Sequence, residues 1–142
     1  MPQADFYTLK QSSDDHRDLF ACRLVEKAFG LGNRIFIQAE SETAARRLDE
    51  LLWNFRPESF IPHGVQDHDD DDEEMPVVIG FAGDCKYPAE LLINLSPVIP
   101  VFYRDFPRIA EIVLNNELSR QLSRKHWRHY QEQGWELKHH QV

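Results

Sequence analysis

Apolar positions along the chain switch between two spacings. Ala4 to Leu9 carries Phe6, Tyr7 and Leu9 in a short aromatic run that reads as a strand. Ala21, Leu24, Val25 and Ala28 then recur at helical spacing, so a helix is expected from a cap at Asp14 or Asp15 to about Phe29, with Gly30 and Gly32 ending it. Arg34 to Ala39 contains the uninterrupted run Ile35, Phe36, Ile37, the mark of a strand covered on both faces. Ser41 is placed to cap a second helix whose stripe is Ala44, Ala45, Leu48, Leu51 and Leu52, and Pro57 stops it. After an irregular stretch, Pro76 to Phe81 and Leu91 to Leu95 read as two further strands, and Phe102 to Phe106 as a short helical turn. From Arg108 to Leu114 the period is two, with Ile109, Glu111 and Val113 on one face and Ala110, Ile112 and Leu114 on the other. A last helix is expected from Asn115 or Asn116 to near Gly134.

Strands alternating with helices predict an α/β fold: one three-layer α/β/α domain around a mainly parallel or mixed sheet. No internal repeat or linker divides the chain, so residues 1–142 are expected to form a single domain. A chain of this length can bury about 70% of its unfolded surface and needs no disulfide or metal to hold it. Two segments stand apart. Residues 66–75 are expected to be a solvated acidic loop, and residues 136–142 a flexible tail in which His139 and His140 fray.

The formal charge of −8 changes meaning once it is located. Asp67, Asp69, Asp70, Asp71, Asp72, Glu73 and Glu74 hold seven of the 24 acidic residues, and the rest nearly balance 16 Lys and Arg. A body so close to neutral is not built for strong binding to a phosphate backbone. No run of 18 apolar residues and no basic-then-apolar leader occurs, so neither a membrane span nor secretion is expected. Cys22 and Cys85 lack metal-ligand spacing and read as reduced thiols, which points to the cytoplasm.

The alternating fold invites a nucleotide, but the first strand-to-helix turn is Lys10, Gln11, Ser12, Ser13, Asp14, Asp15: no glycine, and two carboxylates that repel phosphate. No glycine loop with a following lysine exists, and the Gly80 and Gly83 pair is too weak a signal. Neither cysteine has a histidine beside it in sequence, and no Gly-x-Ser-x-Gly elbow is present. His63, His68 and the neighbouring carboxylates could hold a divalent ion, but a self-repelling acidic loop accounts for the same residues.

The last helix carries the informative pattern. Arg120, Arg124, Trp127 and Arg128 project from one side, while Leu118, Leu122, His126 and Tyr130 occupy another, His126 as a hydrogen-bonded residue at the core edge. Between Arg120 and Tyr130 there are four Lys or Arg and no Asp or Glu. Guanidinium groups beside an aromatic ring suit a ligand that offers carboxylates or phosphates with an apolar group, although a solvated helix face has the same composition. Trp53, Phe55 and Phe60 sit at the exit of the second helix in a proline-braced segment. They serve either a protein interface or packing onto the domain itself.

These residues bring a resemblance with them. Ala4-Asp5-Phe6-Tyr7, Arg47-Leu48-Asp49-Glu50-x-Leu52-Trp53, Glu58-Ser59-Phe60-Ile61-Pro62-His63 and the final helix to Gly134 resemble the chi subunit of the bacterial DNA polymerase III holoenzyme, over nearly the whole chain. The resemblance implies an adaptor without catalysis, and from the residues no cofactor or metal is expected. It implies two partners: the psi subunit, which links chi to the clamp loader, and the acidic, Phe-terminated tail of the single-stranded-DNA-binding protein. The tail-binding positions of that family fall on Val113, Arg120, Arg124, Trp127 and Arg128, and its region for psi or a repair helicase on Trp53 and Phe60. DNA contact is then indirect. The dense acidic run is a departure from the family pattern.

Overall fold

A computed structural model describes residues 2–55, 61–66, 75–81 and 88–142. The elements follow the expected order with two additions. They are β1 (Gln3–Thr8), α1 (Asp14–Gly30), β2 (Ile35–Gln38), α2 (Glu42–Phe55), β3 (His63–Val65), β4 (Val77–Gly80), β5 (Leu91–Asn94), a 3-10 turn (Tyr103–Asp105), β6 (Arg108–Val113), α3 (Glu117–Glu132) and β7 (Glu136–Gln141). The strands form one sheet in the order β3-β4-β2-β5-β6-β1-β7, and every pairing among the described residues is parallel. The expectation of a mainly parallel or mixed sheet thus resolves to the parallel form.

Alternation along the strands splits the core in two. Ile35, Ile37, Val77, Ile79, Ile93 and Ala110 pack under α1 and α2 through Ala21, Val25, Ala28, Ala45, Leu48 and Leu52. On the opposite face Phe6, Phe36, Val78, Leu92, Ile109 and Val113 pack under α3 with Tyr130, Trp135 and the aromatic rings of the 3-10 turn. Each fully buried Ile, Val or Phe contributes about 1.5–3 kcal/mol. The sheet is therefore held from both sides, as in other wholly parallel sheets. Gly80 belongs to this packing: a Cβ there would collide with the Phe36 ring.

Three expectations are corrected. Ser13 rather than Asp14 or Asp15 caps α1, and the two aspartates instead fill the first turn, where they complement the helix dipole. The three-residue strand β3 forms at the sheet edge, too short for its period to be read. The largest correction is at residues 136–142. Instead of fraying, Glu136 to Gln141 form β7, paired with β1 from Gln3↔Glu136 to Thr8↔Gln141. Gly134, at φ +81, turns the chain out of α3, and the buried Trp135 anchors the entry to the strand. His140 is fixed by stacking on Tyr7 at 4.7 Å and by bonding Asp5 Oδ1 at 2.9 Å, and His139 Nε2 lies 2.8 Å from Thr8 Oγ1.

Candidate functional site

α3 is placed by its start. Asn116 Oδ1 accepts the Ser119 N–H at 2.8 Å, and Ser119 Oγ accepts the Leu114 N–H at 2.8 Å, so the strand end and the first helical turn cap each other. Asn115 and Asn116 also bond the carbonyls of Lys10 and Ser12, tying the helix to the loop after β1.

The inner face of α3 is polar and buried. Glu111, on the facing strand, accepts from Tyr130 Oη at 2.8 Å, Asn94 Nδ2 at 3.0 Å and His126 Nδ1 at 2.9 Å. The other ring nitrogen of His126 lies 3.1 Å from the Pro97 carbonyl, so both nitrogens face acceptors, a geometry that favours the charged ring. Burial alone would lower the His126 pKa, but the hydrogen bond and charge of Glu111, with the Pro97 carbonyl, outweigh it and the pKa is raised. Burial, then the charge of Glu111, push the Tyr130 hydroxyl far up, so it stays a neutral donor. The sequence reading of His126 as a hydrogen-bonded core-edge residue agrees with this placement.

The flank of α3 that faces β1 and β7 presents the basic stripe. Trp127 is half-buried, its ring 5.0 Å from Phe6, and with Ser123, Arg124, Arg128 and Gln131 it lines a surface hollow of about 380 Å³. Three of the five positions from the tail-binding set, Arg124, Trp127 and Arg128, therefore meet at one place. Arg120 lies one turn earlier, bonded to Asn115 Oδ1. Val113 does not reach the surface hollow. It is 5% exposed in the core beneath α3, in the cluster against which Trp127 packs, and borders a separate cleft of about 290 Å³ at the strand ends.

Glu117 was not singled out by sequence. Its carboxylate lies 3.9 Å from Arg120 and 3.8 Å from Arg124 and accepts from Gln121 Nε2 at 3.2 Å. Its position at i, i+3 and i+7 from those partners was the available signal. The stripe thus has an internal carboxylate at one end.

The second candidate surface lies across the molecule. Trp53 is 46% exposed and rests on His63, with ring centroids 4.2 Å apart. His63 is buried with Nδ1 at 2.7 Å from the Ile61 carbonyl and Nε2 at 3.0 Å from the Asp49 carbonyl, one turn before Trp53. One face of the Trp53 ring thus packs on the domain and the other is open to solvent. Phe60, the acidic run Asp67 to Glu74 including His68, and Cys85 lie outside the described residues. Among the described residues no cluster could hold a metal ion, and no helix is long and apolar enough to cross a membrane. Burial raises the Cys22 thiol to about 12, which makes it inert.

Comparison with known proteins shows the family to which the chain belongs. Residues 1–138 match the family described as DNA polymerase III chi subunit, HolC. The chain is 37% identical over 142 residues to the DNA polymerase III subunit chi of Pseudomonas aeruginosa, covering 100% of this chain and 98% of that one. It is 30% identical over 135 residues to the subunit chi of Haemophilus influenzae, covering 94% and 93%. With the subunit chi of Escherichia coli the identity is 27% over 142 residues, covering 96% of each. The chain belongs to the DNA polymerase III chi subunit family.

Proposed function

We propose that this protein is a non-catalytic adaptor of the bacterial replicative polymerase, joining the clamp loader, through the psi subunit, to the C-terminal tail of the single-stranded-DNA-binding protein. The observation that carries this reading is the meeting of Arg124, Trp127 and Arg128 at one hollow. Two guanidinium groups match carboxylates, and the indole offers a surface for an apolar end group. The second surface, centred on Trp53, takes psi or a repair helicase, the role the family resemblance gives to Trp53 and Phe60. Its distance favours simultaneous occupancy. β3, which begins at His63 under Trp53, and β1, under Trp127, are five inter-strand steps apart, about 24 Å. DNA is then reached through proteins, in the cytoplasm.

The test is a set of titrations with a labelled acidic, Phe-terminated peptide, a labelled single-stranded oligonucleotide and a nucleotide. Saturable binding of the peptide alone is expected; binding of the oligonucleotide with a steep salt dependence and no peptide binding would replace the adaptor with a direct nucleic-acid binder. Trp53→Ala should reduce co-purification with psi or a helicase while leaving peptide affinity within about 2-fold, as expected for sites that share no partner. Loss of peptide binding in that variant would merge the two surfaces into one.

A further inference from the structure

β7 ends the sheet, and its outer edge is not paired among the described residues. Its ladder with β1 starts with the Glu136 N–H on the Pro2 carbonyl and finishes with the Val142 N–H on the Thr8 carbonyl. In a parallel ladder the N–H and C=O of one residue point to the same side, so the even-numbered residues 136 to 142 face β1. The main-chain groups of Leu137, His139 and Gln141 face outward. They form a template for one more strand.

The side chains near this edge decide what it fits. Leu137 and His139 lie opposite Ala4 and Phe6, on the α3 face of the sheet, beside the flank that carries Trp127, Arg124 and Arg128. Lys138 lies on the other face. His140 is taken up by Asp5, and Glu136 is the one carboxylate on the strand. The edge and the adjoining helix flank thus present Lys138, Arg124 and Arg128 to an approaching chain. Charged edges deter apolar strands, and this one favours a chain of opposite sign. A run of carboxylates also repels itself and is already extended, so it loses little freedom on becoming a strand.

We propose that the outer edge of β7 is a strand-addition site for an extended acidic peptide, whose main chain pairs with Leu137, His139 and Gln141 while its end group sits in the α3 hollow. This deepens the reading of α3 as the tail site and rests on it. A strand of this length spans about 20 Å, so roughly six peptide residues are engaged, and every second peptide amide faces the protein.

The experiment uses the full chain and synthetic acidic peptides ending in Phe, unmodified or N-methylated at alternate residues in either phase. One phase should lose about 10-fold in affinity or more and the other should bind like the unmodified peptide, because only one set of amides donates to β7. Equal affinity in both phases, or equal loss in both, would overturn strand addition. On the protein side, His139→Pro removes an outward N–H and leaves the β1 ladder intact, a position where an edge strand accepts proline. It should weaken the unmodified peptide about 5-fold or more, against 2-fold or less for His139→Ala, with unchanged circular dichroism. Equal losses in the two variants would assign the effect to the imidazole and overturn the proposal. Failure of the unmodified peptide to bind the wild-type protein is a different result, since it removes the tail site itself and this inference with it.

Discussion

The two sides of α3 are both polar, yet they differ in how their polar groups are held. Toward the sheet, Tyr130 and His126 meet Glu111 at 2.8 and 2.9 Å, all three buried. Toward solvent, Arg120 and Arg124 approach Glu117 at 3.9 and 3.8 Å, beyond hydrogen-bond distance, with side chains 44% and 65% exposed. The first set has fixed partners and fixes the rotation of the helix. The pairing of both arginines with Glu117 is loose enough for a ligand to replace it, while Arg120 also keeps its bond to Asn115 Oδ1. Partner distance and burial, rather than polarity, separate the structural face from the face proposed to bind.

Breaking the inner network should have the largest effect. Glu111→Gln leaves His126 without its charge partner in a buried site, and disrupting a buried pair costs about 3–5 kcal/mol. This is a large share of the roughly 5–15 kcal/mol that holds a typical domain. Denaturant unfolding should show the midpoint falling sharply, while the folded fraction keeps its affinity for the acidic peptide. A stable variant with lost peptide binding would invert the assignment of the two faces.

The outer face should respond in the opposite manner. Arg124→Ala removes a guanidinium from the hollow, and loss of a charge-assisted pair at an interface costs about 2 kcal/mol or more, roughly 30-fold in affinity. Stability should change by no more than about 0.5 kcal/mol, as for other exposed positions. Calorimetric titration and thermal unfolding of the same sample measure both. A variant that binds the peptide normally would remove Arg124 from the site.

How much of this was legible in the sequence depends on whether the cause is local. The meeting of Arg124, Trp127 and Arg128 follows from i, i+3 and i+4 spacing on one helix, and the two core faces follow from the alternation in β2, β4 and β6. Glu111 has no such signal. Its partners come from β5 and from two turns of α3, and only the fold unites them. β7 was hidden for a related reason: Glu-Leu-Lys-His-His-Gln is too polar to read as a strand, and its order comes from β1, Tyr7 and Asp5. Val113 entered through family resemblance alone, and its buried place explains why exposure-based reasoning would pass over it.

Proton linkage sharpens the contrast between the faces. The raised pKa of His126 means that the fold favours its charged form; the sign is that of a group whose stabilisation is fully present below its ordinary value of 6.5 and lost as pH rises through the folded value. Asp5 has the opposite sign. Burial would raise its pKa, but the hydrogen bonds of His140, Arg108 and Gln3 lower it from 3.8, so its stabilisation is present above that value and disappears as pH falls through the folded one. Unfolding free energy should therefore decline on the alkaline side of pH 6.5, and Glu111→Gln should flatten that decline by removing the main source of the His126 shift. An identical decline in wild type and variant would assign it to another histidine.

The smallest expected effect concerns Glu117, which occupies in the free protein a position a ligand carboxylate would take beside Arg120 and Arg124. Exposed pairs of this kind are worth about 0.2–1 kcal/mol, so displacing Glu117 takes a corresponding part of the binding energy. Glu117→Gln retains a hydrogen-bond acceptor for Gln121 and removes the competing charge. It should strengthen peptide binding by roughly 1.5- to 5-fold at low salt, with a smaller gain at physiological ionic strength, where screening acts beyond about 8 Å. The helix loses a favourable first-turn charge, so a slight fall in stability, about 0.3–1 kcal/mol, should accompany the gain. Opposite signs for affinity and stability in one variant are what separate a masking carboxylate from an ordinary helix-stabilising one. Weaker peptide binding in Glu117→Gln would show instead that this carboxylate orients the two arginines for the ligand.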